Sequence, residues 1–481
     1  MKPKLKFQWR IFFIALVLRL VPVLLTRSLG IGLDDMFQYD MLARSLASGN
    51  GYRWYAYEDL QKLEAYVDFD LTALDYNPER GVLTSFRAPL YPSFLAIIYL
   101  IAGMGAGRFF AVRLVQAGLS ALLAPLSYHV SLRLFPDRQP AAVISAWIVA
   151  CYPLLIIYPI GLATENLFFL LVLTAFYFLL QISNSQQTIL YSLLSGLFLA
   201  LAALTRSVIL PFAGLAVLWT WFILKQKRAA ALMALTLVAL IVPWVIRNSL
   251  LHHKLTSIES SMGYNLYVGY HPESDGSFTF GPSLDLLSIL DDAERDRYGK
   301  NAAVGFIRAQ PERFLPLMLN RFGFFFGLEK RALMYFYSNN LLGYIPPLWL
   351  LMIAVILLLP FVIITPSAAL GLALARLRPG VILLYLLFVP YILVHVLILA
   401  EDRFHLVFIP FFAILAARAW TCGPGAFLAR WRESTAGKIA VSLAVLAALL
   451  LFLNWGLELS RDADKIAALF GPDGNRTHFP Y

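Results

Sequence analysis

Hydrophobic and polar positions fall along this chain in long blocks. Apolar runs cover about 11–29, 90–104, 108–134, 141–160, 166–182, 188–204, 208–224, 229–247, 313–328, 343–364, 380–399, 404–420 and 437–457. Most are near the roughly 17–25 residues an α-helix needs to cross a hydrocarbon core, and the short alternating pattern of outer-membrane barrels is absent. The pattern predicts an all-α polytopic membrane protein. Two long polar stretches break it, 30–88 and 252–312. The first apolar run, Ile11 to Leu29, follows Lys2, Lys4, Lys6 and Arg10 and has no small-residue cleavage site, so it reads as a retained signal anchor with a cytoplasmic N-terminus.

Basic clusters orient the rest. Lys225, Lys227 and Arg228, then Arg376 and Arg378, then Arg430, Arg432 and Lys438 belong on the cytoplasmic side by the positive-inside rule. Satisfying all three requires that 90–134 makes one net crossing, as a short interfacial helix plus a long one, and that 313–328 lies flat or re-enters. The count is then about 11 spans within a range of 11 to 13. Both polar stretches, Glu165, Arg206 and Glu401-Asp402-Arg403 fall together on the outer face.

Composition agrees: of 481 residues 60% are hydrophobic and 14% charged. The net charge of +10 is spread over short clusters between apolar runs, where lipid headgroups account for it and nucleic acid does not. Cys151 and Cys422 make no disulfide framework, and His252, His253, His271, His395 and His405 lack metal-ligand spacing.

Candidate chemistry begins just past the first span. From Asp34-Asp35, apolar residues at 36, 39, 42, 43 and 46 keep helical spacing until Gly49 and Gly51, which predicts an amphipathic juxtamembrane helix with a carboxylate at its N-terminal end. One aspartate serves as a helix cap, and the second is a candidate general base. Arg87, beside Pro89 and Pro92, is placed to hold a phosphate in a fork of donors, or to snorkel at the interface. Thr164-Glu165-Asn166 opens an otherwise apolar helix; Thr164 suits a cap, and an acid at such a mouth is a functional candidate. Arg206, Arg247 and Arg403, each at the end of an apolar run, are further anchors for an anionic headgroup. Tyr264, Asn265, Tyr267 and His271 give the second polar stretch groups that suit carbohydrate, as in a lid over a site.

Seven motifs stand in order between Asp34 and about Pro410. They are Asp35-x-x-x-Tyr39-x-x-x-Ala43-Arg44-x-Leu46-x-x-Gly49-x-Gly51-Tyr52, Arg87-Ala88-Pro89-Leu90-Tyr91-Pro92, Ala163-Thr164-Glu165-Asn166-Leu167-Phe168, Leu204-Thr205-Arg206, Pro243-Trp244-x-x-Arg247-Asn248, Gly263-Tyr264-Asn265-Leu266-Tyr267-Val268-Gly269 and Arg403-Phe404-His405. In this order they resemble the bacterial membrane glycosyltransferases related to protein O-mannosyltransferases and to the aminoarabinose transferase of lipid A, within the GT-C superfamily. The resemblance implies a GT-C-type bundle in the plasma membrane, with juxtamembrane helices in the first outer loop. It also implies inverting transfer of a sugar from a polyprenyl-phosphate-linked donor to a glycan, lipid or protein acceptor on the outer face. By spacing to Tyr39, the family's base matches Asp35, with Asp34 the alternate. Glu165 matches a second acidic position that orients the acceptor or a metal ion in some relatives. Met36 stands where Glu is frequent, so the second carboxylate role falls to Asp34 or is absent. Whether a divalent cation takes part is left open.

A transporter or flippase of a lipid-linked or anionic substrate is the alternative. Such proteins carry ionisable groups near the bilayer centre, along a path, whereas those singled out here sit at helix ends. The charge clusters predict that a reporter fused after Tyr481 is exported; activity of that reporter in the cytoplasm would show the span parity to be off by one.

Overall fold

The computed structural model describes residues 2–69, 71, 76–182 and 187–477; Asp70 and Asp75 of the first polar stretch lie outside the described residues. Among the described residues nine helices are long and apolar enough to cross a membrane, or ten if the bent pair Gln139–Cys151 and Pro153–Ile160 is one span. The chain is a multi-pass membrane protein. This count is lower than 11 to 13 because the apolar runs divide unequally. Leu90–Ala102 is a separate helix of 13 residues, about 20 Å long and too short to span. It precedes the full-length span Gly107–Leu134, so 90–134 holds one long helix and one short one. Phe314–Phe325, of 12 residues, is likewise short. Counting the shorter apolar helix Ser207–Ile223 with the ten gives eleven, the number that the basic clusters need. Those clusters do gather at one end: Arg376 reaches Glu433 at 2.6 Å, Arg430 faces the Ala373 carbonyl, and Trp219 bonds the Pro379 carbonyl.

Two spans form the centre. The apolar window of Glu165–Ile182 is 72% buried and that of Asp402–Cys422 is 83% buried, against 11% for the peripheral Thr435–Arg461. Small residues allow the close packing: a Cβ on Gly371 would sit 1.9 Å from the Leu415 carbonyl oxygen, so only glycine lets Pro347–Ala373 approach the central span this closely. Both central spans begin at the end opposite the basic clusters, and Glu165 and Arg403 stand at their mouths.

Helices that break inside an apolar bundle leave carbonyls without donors, which is costly where water is excluded. Three buried arginines supply the donors. Gln139–Cys151 stops ahead of Pro153, and Arg19 of the first helix, Lys2–Leu25, donates to the Val149 and Ala150 carbonyls at 3.0 Å each and to Ser120 Oγ at 2.8 Å. Arg113 closes the end of the first span and of Pro153–Ile160 through the Leu29, Gly30 and Ile160 carbonyls at 2.6, 2.8 and 2.7 Å. Arg321 does the same for Met262–Tyr270 and Pro379–Ile398 through Gly269 and Leu397. Among the described residues none of the three has a carboxylate partner.

The two polar stretches fold onto each other. The first forms the helix Asp35–Ala47 and a two-stranded antiparallel clip in which Arg53 pairs with Leu83 and Trp54 with Val82. Its apolar core of Phe37, Met41, Leu42, Trp54 and Phe86 takes in Leu290 from the second stretch. Asp292 accepts from Thr84 Oγ1 at 2.6 Å and from the Ser85 amide at 2.7 Å. Within the second stretch, Gly263 and Gly299 bring Met262–Tyr270 and Asp292–Ala309 into backbone contact.

Arg19→Met keeps the apolar bulk and removes the donors, so it is expected to lower stability by on the order of 3 kcal/mol, read as a lower Tm of the solubilised protein. Arg27→Met, at an exposed position of the same region, should leave the Tm unchanged.

Candidate active site

Asp34 and Asp35 have different jobs. Asp34 is the N-cap of Asp35–Ala47: its side chain accepts from the Met36 amide at 2.8 Å. Asp35, the first helical residue, projects into the mouth of the bundle with 35% of its side chain exposed. One oxygen accepts from Arg87 Nη2 and the other from Arg403 Nη2 at 3.3 Å. Arg87 Nε also donates to Gln38 Oε1 at 2.8 Å, and its guanidinium lies over the Tyr39 ring at 5.4 Å. Residues 35, 38 and 39 share one helix face, so a single turn clasps Arg87.

The second pair lies beside the first. Arg206, held between Thr188–Thr205 and the next helix, donates to Glu165 Oε1 at 2.6 Å, while Thr164 Oγ1 donates to Oε2 at 2.9 Å. Glu165 is 5% exposed at its side chain, so a substrate meets Arg206 before it meets the acid. Phe404 joins the pairs, with Arg206 5.4 Å and Arg403 5.7 Å from its ring.

Two residues not singled out from the sequence complete the set. Arg331 Nη1 donates to Glu401 Oε2 at 2.7 Å, and the same oxygen lies 2.6 Å from Arg403 Nε. The mouth is therefore lined by a run of alternating charge, Arg87, Asp35, Arg403, Glu401, Arg331, with three guanidiniums to two carboxylates. Glu259 is nearby, accepting from the amide and hydroxyl of Ser207. The signal for Arg331 was the charged block Glu329-Lys330-Arg331 between apolar runs; for Glu259 there was none beyond a polar loop.

Burial opposes ionisation of Asp35, yet Arg87, Arg403 and Arg206 together outweigh it and hold the carboxyl well below its ordinary range. Burial likewise opposes the charge on Glu401, and Arg331 and Arg403 bring it down to about 2. Asp34 moves the other way, raised by burial and by the charge of Asp35. Burial pushes the Tyr39 phenol up to about 12.

Other sequence candidates lie elsewhere. Arg247 donates to the Thr84 carbonyl at 2.5 Å, to Asn248 Oδ1 at 3.0 Å and to the Tyr52 carbonyl at 3.4 Å, and stacks on Trp244; it braces the first polar stretch and does not reach Asp35. Tyr91 is fully buried against Tyr39 and donates to Gln116 Oε1 at 2.6 Å. Tyr264 packs edge-on to Phe86, next to Arg87, and Asn265 follows it, half-buried. Tyr267 donates to Asp285 and packs with His271 against Phe306, as part of the second stretch's own packing. Ser85 Oγ lies 2.7 Å from His252 Nε2, whose Nδ1 is 3.9 Å from Asp291; Ser85 is fully buried, which denies this trio a nucleophile's access. Among the described residues no three of His, Cys, Asp and Glu gather to hold a metal ion. Asp35 and Glu165 each already face a guanidinium, so the donor set suits an anion and does not fit a divalent cation.

No family model and no curated protein matches this chain. Solved structures do. The Archaeoglobus fulgidus oligosaccharyltransferase tethered with an acceptor peptide containing the NVT sequon matches at 15% identity over 98% of this chain and 59% of its own, with a TM-score of 0.50. The oligosaccharyltransferase AglB of the same organism, in complex with an inhibitory peptide and a dolichol-phosphate, matches at 15% identity over 99% and 60%, also at 0.50. ArnT from Cupriavidus metallidurans, bound to undecaprenyl phosphate, matches at 14% over 97% and 74%, and at a TM-score of 0.43 is too distant to carry an argument. The chain spans about three fifths of the length of the oligosaccharyltransferases it resembles. At such identities the likeness is one of fold alone: this chain shares the all-α membrane bundle of those two oligosaccharyltransferase structures.

A carboxylate whose pKa is depressed on folding adds stability above its unfolded value, near 4, and loses it as pH falls toward the folded value, because the unfolded chain binds more protons in between. For Glu401 that window runs from about 4 down to about 2. Arg331→Met should flatten the acid side of a Tm against pH curve; an unchanged slope would show that Glu401 draws its shift from elsewhere.

Proposed function

We propose that this protein transfers a sugar from a polyprenyl-phosphate-linked donor to an acceptor on the extracytoplasmic side of the plasma membrane, with inversion at the anomeric carbon and Asp35 as the base. The observation that carries this reading is the clamp on Asp35: an accessible carboxylate held between Arg87 and Arg403 at the mouth of the bundle. The GT-C-type fold supports it, as does the dolichol-phosphate, a carrier of the same class, in the AglB complex. The end of the bundle that carries Asp35 is the one away from the basic clusters, which supports an outer position for it by the positive-inside rule.

In this reading Arg87, Arg403 and Arg206 take the donor phosphate in charge-assisted hydrogen bonds. As the guanidiniums turn to the phosphate, Asp35 loses its partners and its pKa rises toward the ordinary carboxylate range, where it accepts a proton more readily. The acceptor hydroxyl gives its proton to Asp35 while its oxygen attacks the anomeric carbon from the face opposite the phosphate. The bond from that carbon to the phosphate oxygen breaks, its electron pair leaves with the polyprenyl phosphate, and the configuration inverts. A phosphate is a stable leaving anion and needs no acid, so one base and a set of guanidiniums suffice. Glu165 keeps Arg206 in place. Residues 252–312, joined to the first stretch through Leu290 and Asp292, act as a fixed roof that offers Tyr264 and Asn265 to the sugar or acceptor. A transporter fits less well, because the one charge deep in the first span, Arg19, is bound to helix-end carbonyls and lines no path.

Cells with and without the protein should differ, by mass spectrometry of surface glycans, lipids and proteins, in one sugar on one class of molecule. Asp35→Asn is expected to lower that transfer by at least about a hundredfold while expression and membrane insertion stay intact; full transfer by the variant would remove Asp35 from the mechanism.

A further inference from the structure

We propose that Glu329-Lys330-Arg331 is the positioning element of the site, a bracket that holds Arg403 at the place where it meets the donor phosphate. This rests on the polyprenyl-phosphate reading above. None of the three touches Asp35, so their effect passes through Arg403.

Each member of the tripeptide grips a different part of the bundle. Lys330 pairs with Glu458 at 2.7 Å and with Asp462, both at the end of Thr435–Arg461. The same helix fixes the backbone ahead of it: Glu458 accepts from the Leu328 amide at 2.9 Å, and Trp455 donates to the Phe326 carbonyl at 2.8 Å. From this anchored base the other two reach one short segment, 401–405. Arg331 takes Glu401, and Glu329 takes His405 at 3.0 Å. Arg403 lies midway between the two points of attachment, and its guanidinium reaches Asp35.

The grip on His405 is specific in its chemistry. His405 Nδ1 lies 2.7 Å from the Phe325 carbonyl, which can only accept, so Nδ1 carries a proton. Nε2 faces Glu329 Oε1, and Tyr152 donates to that same oxygen at 2.6 Å. Two lone pairs would face each other unless one proton lies between Nε2 and Oε1, so the pair shares it. The ring lies flat on Phe361 at 4.2 Å, and both side chains are fully buried. Among the described residues Glu329 Oε2 has no hydrogen-bond partner. A buried acid with a free oxygen is costly to keep in the interior. What this one accomplishes is orientation, joining Tyr152 at the break in the bent span to the segment that carries Arg403. The contact it supports is a long one, 3.3 Å, so a small displacement of 401–405 decides whether Arg403 reaches the site at all.

The test uses the full chain in lipid nanodiscs with two probes, undecaprenyl phosphate and undecaprenol, which differ only in the phosphate. The wild type should prefer the phosphate. Glu329→Ala should weaken undecaprenyl phosphate binding about tenfold while undecaprenol binding changes by less than about twofold. Glu329→Gln, with its amide nitrogen in the place of Oε1, can donate one proton to Nε2 and the other to the Tyr152 hydroxyl oxygen, and should restore the preference. Arg331→Gln, at a partly exposed side chain that tolerates change, should show the same selective loss even if Glu329→Ala does not fold. An equal loss for both probes would mean a general packing role, and an undiminished phosphate preference in Glu329→Ala or Arg331→Gln would mean no role; either overturns the proposal. A wild type without any preference for the phosphate would overturn the polyprenyl-phosphate reading itself, and this proposal with it.

Discussion

A guanidinium taken out of water must find acceptors for its donors, and this protein is organised by the two ways in which its arginines do so. Arg19, Arg113 and Arg321 bind backbone carbonyls where helices end. Arg87, Arg206, Arg331 and Arg403 bind carboxylates at one mouth of the bundle. The first kind of partner belongs to the main chain, and giving it up means unravelling a helix end in an apolar medium. The second kind is an anion on a side chain, and another anion can take its place with little change in the charge balance. These seven arginines thus divide into fixed braces and exchangeable contacts according to their partners.

That division explains why breaks in helices and the candidate site can coexist. Every span that stops short or bends risks unsatisfied carbonyls, and a site at helix mouths needs several such ends close together. Arg113 ties the end of the first span to the end of the bent pair, which holds the start of the Asp35 helix against the mouth of Glu165–Ile182. Because Glu165–Ile182 and Asp402–Cys422 are the most buried spans, the charges at their mouths are carried on the most closely packed part of the bundle.

Much of this was legible in the sequence, and what was not has a common physical reason. The block pattern pointed to the membrane bundle, and the Asp34-Asp35 order at a helix start to one cap and one acid left for other partners, because capping is a local interaction. Basic clusters required one crossing from 90–134, which the structure divides into a short helix and a long one. Arg206 and Arg247 look alike in sequence, each an arginine closing an apolar run, yet one meets Glu165 and the other the carbonyl of Thr84. Their partners lie 41 and 163 residues away, and no local pattern encodes that choice. Arg19 was hidden inside an apolar run and Arg331 at the edge of one, for the same reason. The aromatic residues of 262–271 suggested a lid, but of the four residues singled out there only Tyr264 is placed beside Phe86 and Arg87; Tyr267 and His271 pack within their own stretch.

The joint between the two polar stretches also bears on how the protein is made. Thr84 meets Asp292 across 208 residues, and the core of the first stretch includes Leu290. During synthesis the Asp35 helix and its clip emerge with that core incomplete, and they stay so while the spans between Leu90 and Leu251 are inserted. Contacts this far apart in sequence form late. The site is thus one of the last parts of the molecule to be completed, and a chain cut short before residue 290 would carry Asp35 on a first stretch whose apolar core is still open to water.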